Sequence, residues 1–556
     1  MKLNFSHKRT VFAMLAAAAM FLAVSCTDET ADAGVETERP AGTVTEGNKN
    51  LTTVKLATFA GNQSRVTATR AEEAPQTLRL IASIENPSKE EGFRFTKEEG
   101  GRYLSATSVY YDSSTTPETY YATYHMQGNN YNTTLDNEIG GAIQSFTIAD
   151  DGAVTLGNGF RAENPDKEDY DFNHLYFDVT DKRIVAVGHK WNVPSTWTGD
   201  EPYTGKRDNT RAIIGLFNPA SSEFTYSTIN TSEKELDDNG KSLGYKDAGD
   251  ANCVIRAGET QNKTVKGWNF YYVATRKGMA VVHAEDEALF KPVLNEDGIN
   301  YFIPTPGSAK FVAKTGTSSY FDLLYLAEDK SNDSYTTSST ARIAHFCTQT
   351  GEGNTLGFLR KRDVEEVFNP QEKNILKFED QTVLPEVISP IDGKNTLLCA
   401  PDTYTDNERY AAIGTGGMYY RFYGVNNHSK VYEGVVKFGN LPVNCVTADT
   451  SDLESGHDGF IYVACGSRLV ILHRCTFELV AYWNLPSKDE NDNYVASSAN
   501  YIHVEKGPAN ADRTPRERII TVAFGQAGLK VFKFSPATLE AKTVWEKELP
   551  SEILCH

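Results

Sequence analysis

Cys26 is the residue whose surroundings specify its chemistry most completely. It closes the run Leu22-Ala23-Val24-Ser25-Cys26. Small residues ahead of a cysteine let a lipoprotein signal peptidase reach the preceding bond and free that cysteine for acylation. The residues before it fit the same purpose. Lys2, Lys8 and Arg9 supply positive charge, and Val11 to Ala23 is an apolar run of about 13 residues, too short to span a bilayer, which takes ~20. Residues 1–25 read as a signal peptide and Cys26 as a lipid anchor. Several acyl chains on one cysteine hold far more firmly than one. A second place for chemistry is Ser64-Arg65-Val66-Thr67-Ala68-Thr69-Arg70-Ala71, two arginines in a stretch with little reason to fold. It reads either as a charged linker or as a target for a protease.

Metal and catalytic signatures are sparse. His283, His345 and His473 end similar strand-like runs. Ring symmetry could gather them into a metal or haem site, but a repeat position that tolerates a polar cap is the preferred reading. The oxygen-rich stretches 449–459 and 488–493 lack calcium-loop spacing and read as solvated turns. There is no G-x-S-x-G elbow, no P-loop, no H-E-x-x-H and no Rossmann glycine pattern. The expectation is a chain that is not an enzyme and that holds no metal or cofactor. One stretch suits binding: Lys190 to Tyr203 carries Trp191, Trp197 and Tyr203 with prolines. Stiffened aromatics anchor interfaces, although the same loop could fold over its own domain.

Composition narrows the partners. Lys plus Arg is 55 against 74 for Asp plus Glu, a net charge of -19, which argues against nucleic acid. With 28 Tyr and 28 Phe against 5 Trp and 6 Met, the chain leans towards β-structure. Besides Cys26 there are Cys253, Cys347, Cys399, Cys445, Cys465, Cys475 and Cys555. An odd number cannot pair fully, and most read as small buried hydrophobes.

The elements that must position these residues are strands. Leu51 to Phe59 alternates as a strand within a tether rich in Thr, Ala, Glu and Gly. After Pro75, strand-like runs follow one another between Gly, Asp, Asn and Pro clusters, with no sustained helical period. Three segments align without gaps as strand, glycine turn and strand: 272–283, 462–473 and 521–532. Looser copies fit around Ala122, Ala186, Ala327 and Ala412. With Ala274, Ala464 and Ala523 the recurrent alanines are spaced by 64, 88, 53, 85, 52 and 59 residues. A four-stranded unit cannot bury both faces alone, but a ring of such units can. The sequence predicts an all-β protein with a seven-bladed β-propeller over 76–556, after a tether and possible pro-segment at 26–75. A pair of β-sandwiches is the alternative. The run Thr77 to Ile84 is expected to join the chain's two ends, pairing with strands supplied by 539–549.

The acidic stretch after Cys26 (Asp28, Glu29, Asp32, Glu36, Glu38) resembles the export signal of Bacteroidetes surface lipoproteins. Lipobox, acidic tether, short strand-like segment and arginine together resemble the layout of fimbrial proteins of Porphyromonas-like Bacteroidales. That resemblance covers the first ~75 residues as motifs. It implies cleavage by an arginine-specific protease, at Arg70 first and Arg65 second, then assembly by strand exchange. The propeller departs from the two-sandwich fold of ordinary fimbrillins and fits an accessory or tip part in adhesion better than a shaft subunit. The expected partners are other fimbrial subunits or surface proteins, the outer membrane through the lipid, and an adhesion target. The alternatives are a surface lipoprotein capturing a glycan, siderophore, haem or corrinoid for a transporter, and a lactonase-like propeller enzyme.

Overall fold

A computed structural model describes residues 52–69, 77–87, 103–127, 141–149, 152–162, 168–178, 183–192, 210–259, 269–285 and 289–292. From 302 onward it describes the strands named below together with 449, 459–473, 479–486, 497–508 and 515–536. Among these residues every regular element is a β-strand apart from one 3-10 turn, Gln63–Arg65.

The chain begins with β1 (Thr52–Ala60), β2 (Val66–Ala68) and β3 (Leu78–Ile84). A first sheet follows, β4 (Tyr103–Asp112), β5 (Thr119–Gln127), β6 (Ala142–Ile148) and β7 (Val154–Ala162), and then a second, β8 (Glu168–Asp178), β9 (Arg183–Asn192), β10 (Thr210–Asn218) and β11 (Glu223–Thr228). A two-stranded hairpin, β12 (Asn230–Leu236) and β13 (Ser242–Asp247), projects before the third sheet. That sheet is β14 (Ala251–Glu259), β15 (Asn269–Thr275), β16 (Gly278–Glu285) and β17 (Leu289–Pro292), with β18 (Phe302–Pro304) also on β16. The fourth is β19 (Ala309–Lys314), β20 (Tyr320–Glu328), β21 (Ala341–Gln349) and β22 (Val367–Phe368). The fifth is β23 (Leu398–Ala400), β24 (Arg409–Ile413), β25 (Met418–Tyr423) and β26 (Val431–Lys437). The sixth is β27 (Val443–Ala448), β28 (Phe460–Cys465), β29 (Arg468–His473) and β30 (Leu479–Asn484). The last is β31 (Tyr501–Lys506), β32 (Arg518–Ala523) and β33 (Leu529–Phe534), to which β3 adds.

The first strands β4, β8, β14, β19, β23, β27 and β31 pack each against the next, and β31 packs against β4. They trace a closed ring, and the arrangement is that of a β-propeller. The cores lie in the seams between sheets. One joins the last sheet to the first through Ile84, Leu104, Val109, Tyr124 and Val531; another joins the second to the third through Val187, Ile214, Val254 and Val273. Strands covered on both faces explain the near-continuous apolar runs, as in β32, where five of six residues are buried.

The predicted repeats are the second and third strands of these sheets. The segments 272–283, 462–473 and 521–532 form the β15–β16, β28–β29 and β32–β33 hairpins. All seven recurrent alanines lie in second strands, facing residues of the first. Ala122, Ala186, Ala274, Ala464 and Ala523 are fully buried, where a larger side chain would push neighbouring sheets apart.

Two features differ from the sequence expectation. Strands ahead of residue 76, the expected start of the propeller, are part of the described fold. Thr52 to Lys55 pair with β11, and Leu56 to Ala60 pair with β7, so β1 crosses from the edge of the second sheet to the edge of the first and stitches them together. The second concerns closure. The run at 77–84 does join the chain's ends, but β3 pairs directly with β33 and on its other side with β2. Residues 539–549, expected to supply outer strands, lie outside the described residues.

Candidate functional site

Among the described residues, a cluster of chemically capable side chains lies where the first three sheets meet. It is built at one end of their strands. β5 and β9 each place a histidine three residues past the recurrent alanine: Ala122 then His125, Ala186 then His189. β8 runs antiparallel to β9, so its beginning lies beside His189, and β14 packs against β8 and β9 from the third sheet. Asp171 pairs with His189 across β8 and β9, and Asp250 immediately precedes β14. Each aspartate stands two residues before a bulged residue, Asn173 and Asn252. A bulge re-aims side chains, and here it turns Asn173 towards the third sheet.

The geometry is tight. His189 Nε2 is 3.1 Å from Asp171 Oδ2, and its Nδ1 is 3.1 Å from Asp250 Oδ1. His125 Nδ1 approaches the same Asp171 oxygen at 3.9 Å. Asn173 Nδ2 donates to Asp250 Oδ1 at 2.8 Å and to the carbonyl of Ala251 at 2.9 Å. The side chains of Asp171 and His189 are 2% and 6% exposed, that of His125 15% and that of Asp250 25%. Gly188 permits the approach: a Cβ there would fall 1.8 Å from the carbonyl oxygen of Asp171. Burial alone would lower the pKa of His189, but the Asp250 and Asp171 carboxylates outweigh it and hold the ring well above its usual value. For Asp250, burial pushes upward and the neighbouring His189 and His125 more than reverse it, leaving the carboxyl below its usual value. Nearby, burial pushes His174 down to about 4, and this ring takes no part in the cluster. His125, Asp171 and His189 together offer two imidazole nitrogens and one carboxylate oxygen within 4.8 Å of one another, a donor set that could hold a metal ion.

Sequence reasoning missed this cluster because its members belong to three sheets and share no local motif. The signal was positional: histidine at the same offset from the repeat alanine in two successive units. The histidines singled out from sequence fall elsewhere. His283, His345 and His473 belong to third strands of three different sheets, not to first strands. His283 is fully buried.

The other expected site residues are distributed as follows. Arg65 is 3% exposed, contrary to the expectation of a cleavable linker. Its guanidinium donates to the Glu85 carbonyl and, at 2.7 Å, to Gln144 Oε1, while its own carbonyl accepts from Glu85 N at 3.0 Å. Trp191 is a residue of β9, paired with Asp169 and Thr210, not of a loop. Cys26, Arg70, Trp197 and Tyr203 lie outside the described residues. Cys253 and Cys445 are buried and in no disulfide, as expected of small hydrophobes, and burial pushes Cys445 up to about 12.

No family model and no curated protein matches the chain. Among solved structures it is similar to one described as "Crystal structure of BBS1N in complex with ARL6DN, soaked with mercury", at 9% identity and a TM-score of 0.34, covering 72% of this chain and 90% of that one. The class the fold and site define is therefore taken from this chain's own strand order: an all-β propeller with a His/Asp cluster enclosed between its first sheets.

Proposed function

We propose that this chain is a non-enzymatic lipoprotein of the cell surface, lipidated at Cys26, that acts as an accessory or tip component of a fimbrium in adhesion and assembly. Seven blades suit the ring of first strands and the seven alanines. The observation that supports the functional reading most is the placement of β1 and β2. These strands lie between the lipobox cysteine and Arg70, and they complete the edges of three sheets. A cut after Arg70 would leave them held by hydrogen bonds and packing alone. Their departure would expose backbone donors and acceptors on β7, β11 and β3, and an open strand edge accepts a strand from another chain. Burial of Arg65 supports Arg70 over Arg65 as the processing site, because a protease needs an accessible extended segment.

The test is N-terminal sequencing of the protein recovered from the surface, with its distribution between filaments and membrane. Ala71 at the terminus and co-purification with filaments support the reading. An acylated Cys26 terminus with no filament association overturns it and favours the nutrient-capture alternative.

The His/Asp cluster favours a second reading, a metal-dependent propeller enzyme. Its enclosure weighs against that reading, since Asp171 and His189 are almost fully covered.

A further inference from the structure

We propose that His125 Nδ1, Asp171 Oδ2 and His189 Nε2 bind one divalent transition-metal ion, zinc by donor type, which fastens the first sheet to the second. The inference does not depend on the fimbrial reading.

The first argument is distance. The three ligand atoms lie within 4.8 Å of one another, with separations of 3.1 and 3.9 Å from the shared Asp171 oxygen. Ligands held at about 2.0–2.2 Å from one ion stand about 3–3.5 Å apart, so movements of less than about 1 Å close this set on a metal. Two nitrogens and one carboxylate oxygen suit zinc and its first-row neighbours, whereas calcium and magnesium take oxygen.

The second argument is the surrounding shell. A metal-bound histidine ordinarily donates its other ring N–H to a carboxylate, which fixes the ring and its tautomer. His189 has that partner in Asp250 at 3.1 Å, and Asp250 Oδ1 is itself held by Asn173 Nδ2 at 2.8 Å. With the Nδ1 proton committed to Asp250, Nε2 faces Asp171. On binding, the ion takes the place of the Nε2 proton, which leaves to solvent. Two carboxylates are then matched by the two charges of the ion, with both imidazoles neutral.

The third argument is His125. An ion pair within the second and third sheets would account for His189, Asp171 and Asp250. It does not account for a histidine from another sheet whose enclosed Nδ1 is aimed at the same oxygen from 3.9 Å, beyond hydrogen-bond reach. A metal fills that gap. With Asp171 and His189 almost fully covered and His125 only 15% exposed, the ion is a fastener and not a place of turnover. Sheets one and two would then be joined twice, by the ion at the inner strands and by β1 at the outer ones.

The chain from residue 27 onward, without a histidine tag and stripped with a chelator, is titrated with zinc chloride by calorimetry and followed by thermal unfolding. One zinc per chain and a melting midpoint raised by a few degrees are expected. His125→Gln should weaken binding at least about 100-fold while leaving metal-free unfolding unchanged, since the His189 ion pairs remain; Asp250→Asn should weaken it about 10–100-fold. Cobalt(II) bound to the unaltered chain should show visible bands of nitrogen-ligated metal, a readout that stands if a variant fails to fold. No stoichiometric zinc uptake, uptake undiminished in His125→Gln, or a cobalt spectrum equal to that of the free ion would each overturn the proposal.

Discussion

The side-chain amide of Asn500 donates to the carbonyl of Ala106 at 2.9 Å, across 394 positions of sequence. This bond ties the start of the last first-strand to the first one, at the point where the ring closes. It is one of a set. Thr107 Oγ1 donates to the Phe172 carbonyl at 3.1 Å, Asn173 to Ala251 at 2.9 Å and Asn444 to Ala499 at 2.8 Å. Thr107, Asn173 and Asn444 each sit at the bulge of one first strand and cap the backbone of the next, and Asn500, just ahead of β31, does the same without a bulge. Asn500→Ala should lower stability by about 1–3 kcal/mol, the cost of a half-buried carbonyl left without its donor. Denaturant unfolding measures it; a loss below about 0.5 kcal/mol would show that this bond adds little to ring closure.

Arg518 and Asp449 form a buried ion pair between the last two sheets. Arg518 Nε donates to Asp449 Oδ2 at 2.8 Å, and the Tyr462 hydroxyl donates to the same oxygen at 2.8 Å. Phe460 N donates to the other carboxylate oxygen at 2.8 Å, and the guanidinium lies over the Phe460 ring at 5.2 Å. Arg518→Met should cost about 3–5 kcal/mol by leaving the carboxylate uncompensated, and adding Asp449→Asn should recover part of the loss. Equal stability of the single and double variants in a urea titration would mean that the charge pair is not the source of the effect.

His174 gives the fold a pH-dependent element. Burial pushes its pKa from 6.5 down to about 4, so the unfolded chain takes up a proton that the folded chain refuses. Its contribution is whole above the unfolded value and is lost as pH falls towards the folded one, about 3 kcal/mol in all. Asp247 acts in the opposite sense: burial raises it from 3.8 to about 6, and its protonation favours the fold over nearly the same window. The two largely offset each other in the unaltered chain. His174→Gln separates them. Its stability relative to the parent should rise by about 2 kcal/mol between about pH 7 and pH 5, and a constant difference would rule this origin out.

Phe59 of β1 lies over Gly159 of β7, where an added Cβ would fall 2.0 Å from the ring. Gly159→Val should therefore dislodge β1 while sparing the sheets behind it. Hydrogen exchange at 52–60 would rise with 183–192 unchanged. Protection of β1 in the variant would show that the strand is held by its pairing to β11 alone.

Burial of Arg65 predicts the pattern of limited proteolysis. An arginine-specific protease acting on the folded chain should spare the bond after Arg65 and cut it only after unfolding. Early cleavage there would mean that the Arg65 contacts with Glu85 and Gln144 open readily. Arg65→Ala should lower stability by about 1–3 kcal/mol by freeing Gln144 and the Glu85 carbonyl.

The sequence by itself determined the strands, their hairpins and their repetition. A glycine turn between two apolar runs, as at Gly278 or Gly466, is dictated within a few residues, and both glycines take the positive φ that such turns require, 152° and 55°. The repeat alanines were legible because the same crowding recurs wherever a second strand lies beside a first. Only the tertiary structure decided which distant residues meet. β1 alternates as any strand does, and nothing within Thr52–Ala60 names β7 and β11 as its partners. Arg65 reads as a linker charge until β3 and β6 arrive around it. His125, Asp171, His189 and Asp250 span 125 positions by number, from 125 to 250, and come within reach because three sheets stack side by side around a closed ring. Local propensity acts over a turn or a strand; contact between sheets follows from how the whole ring closes.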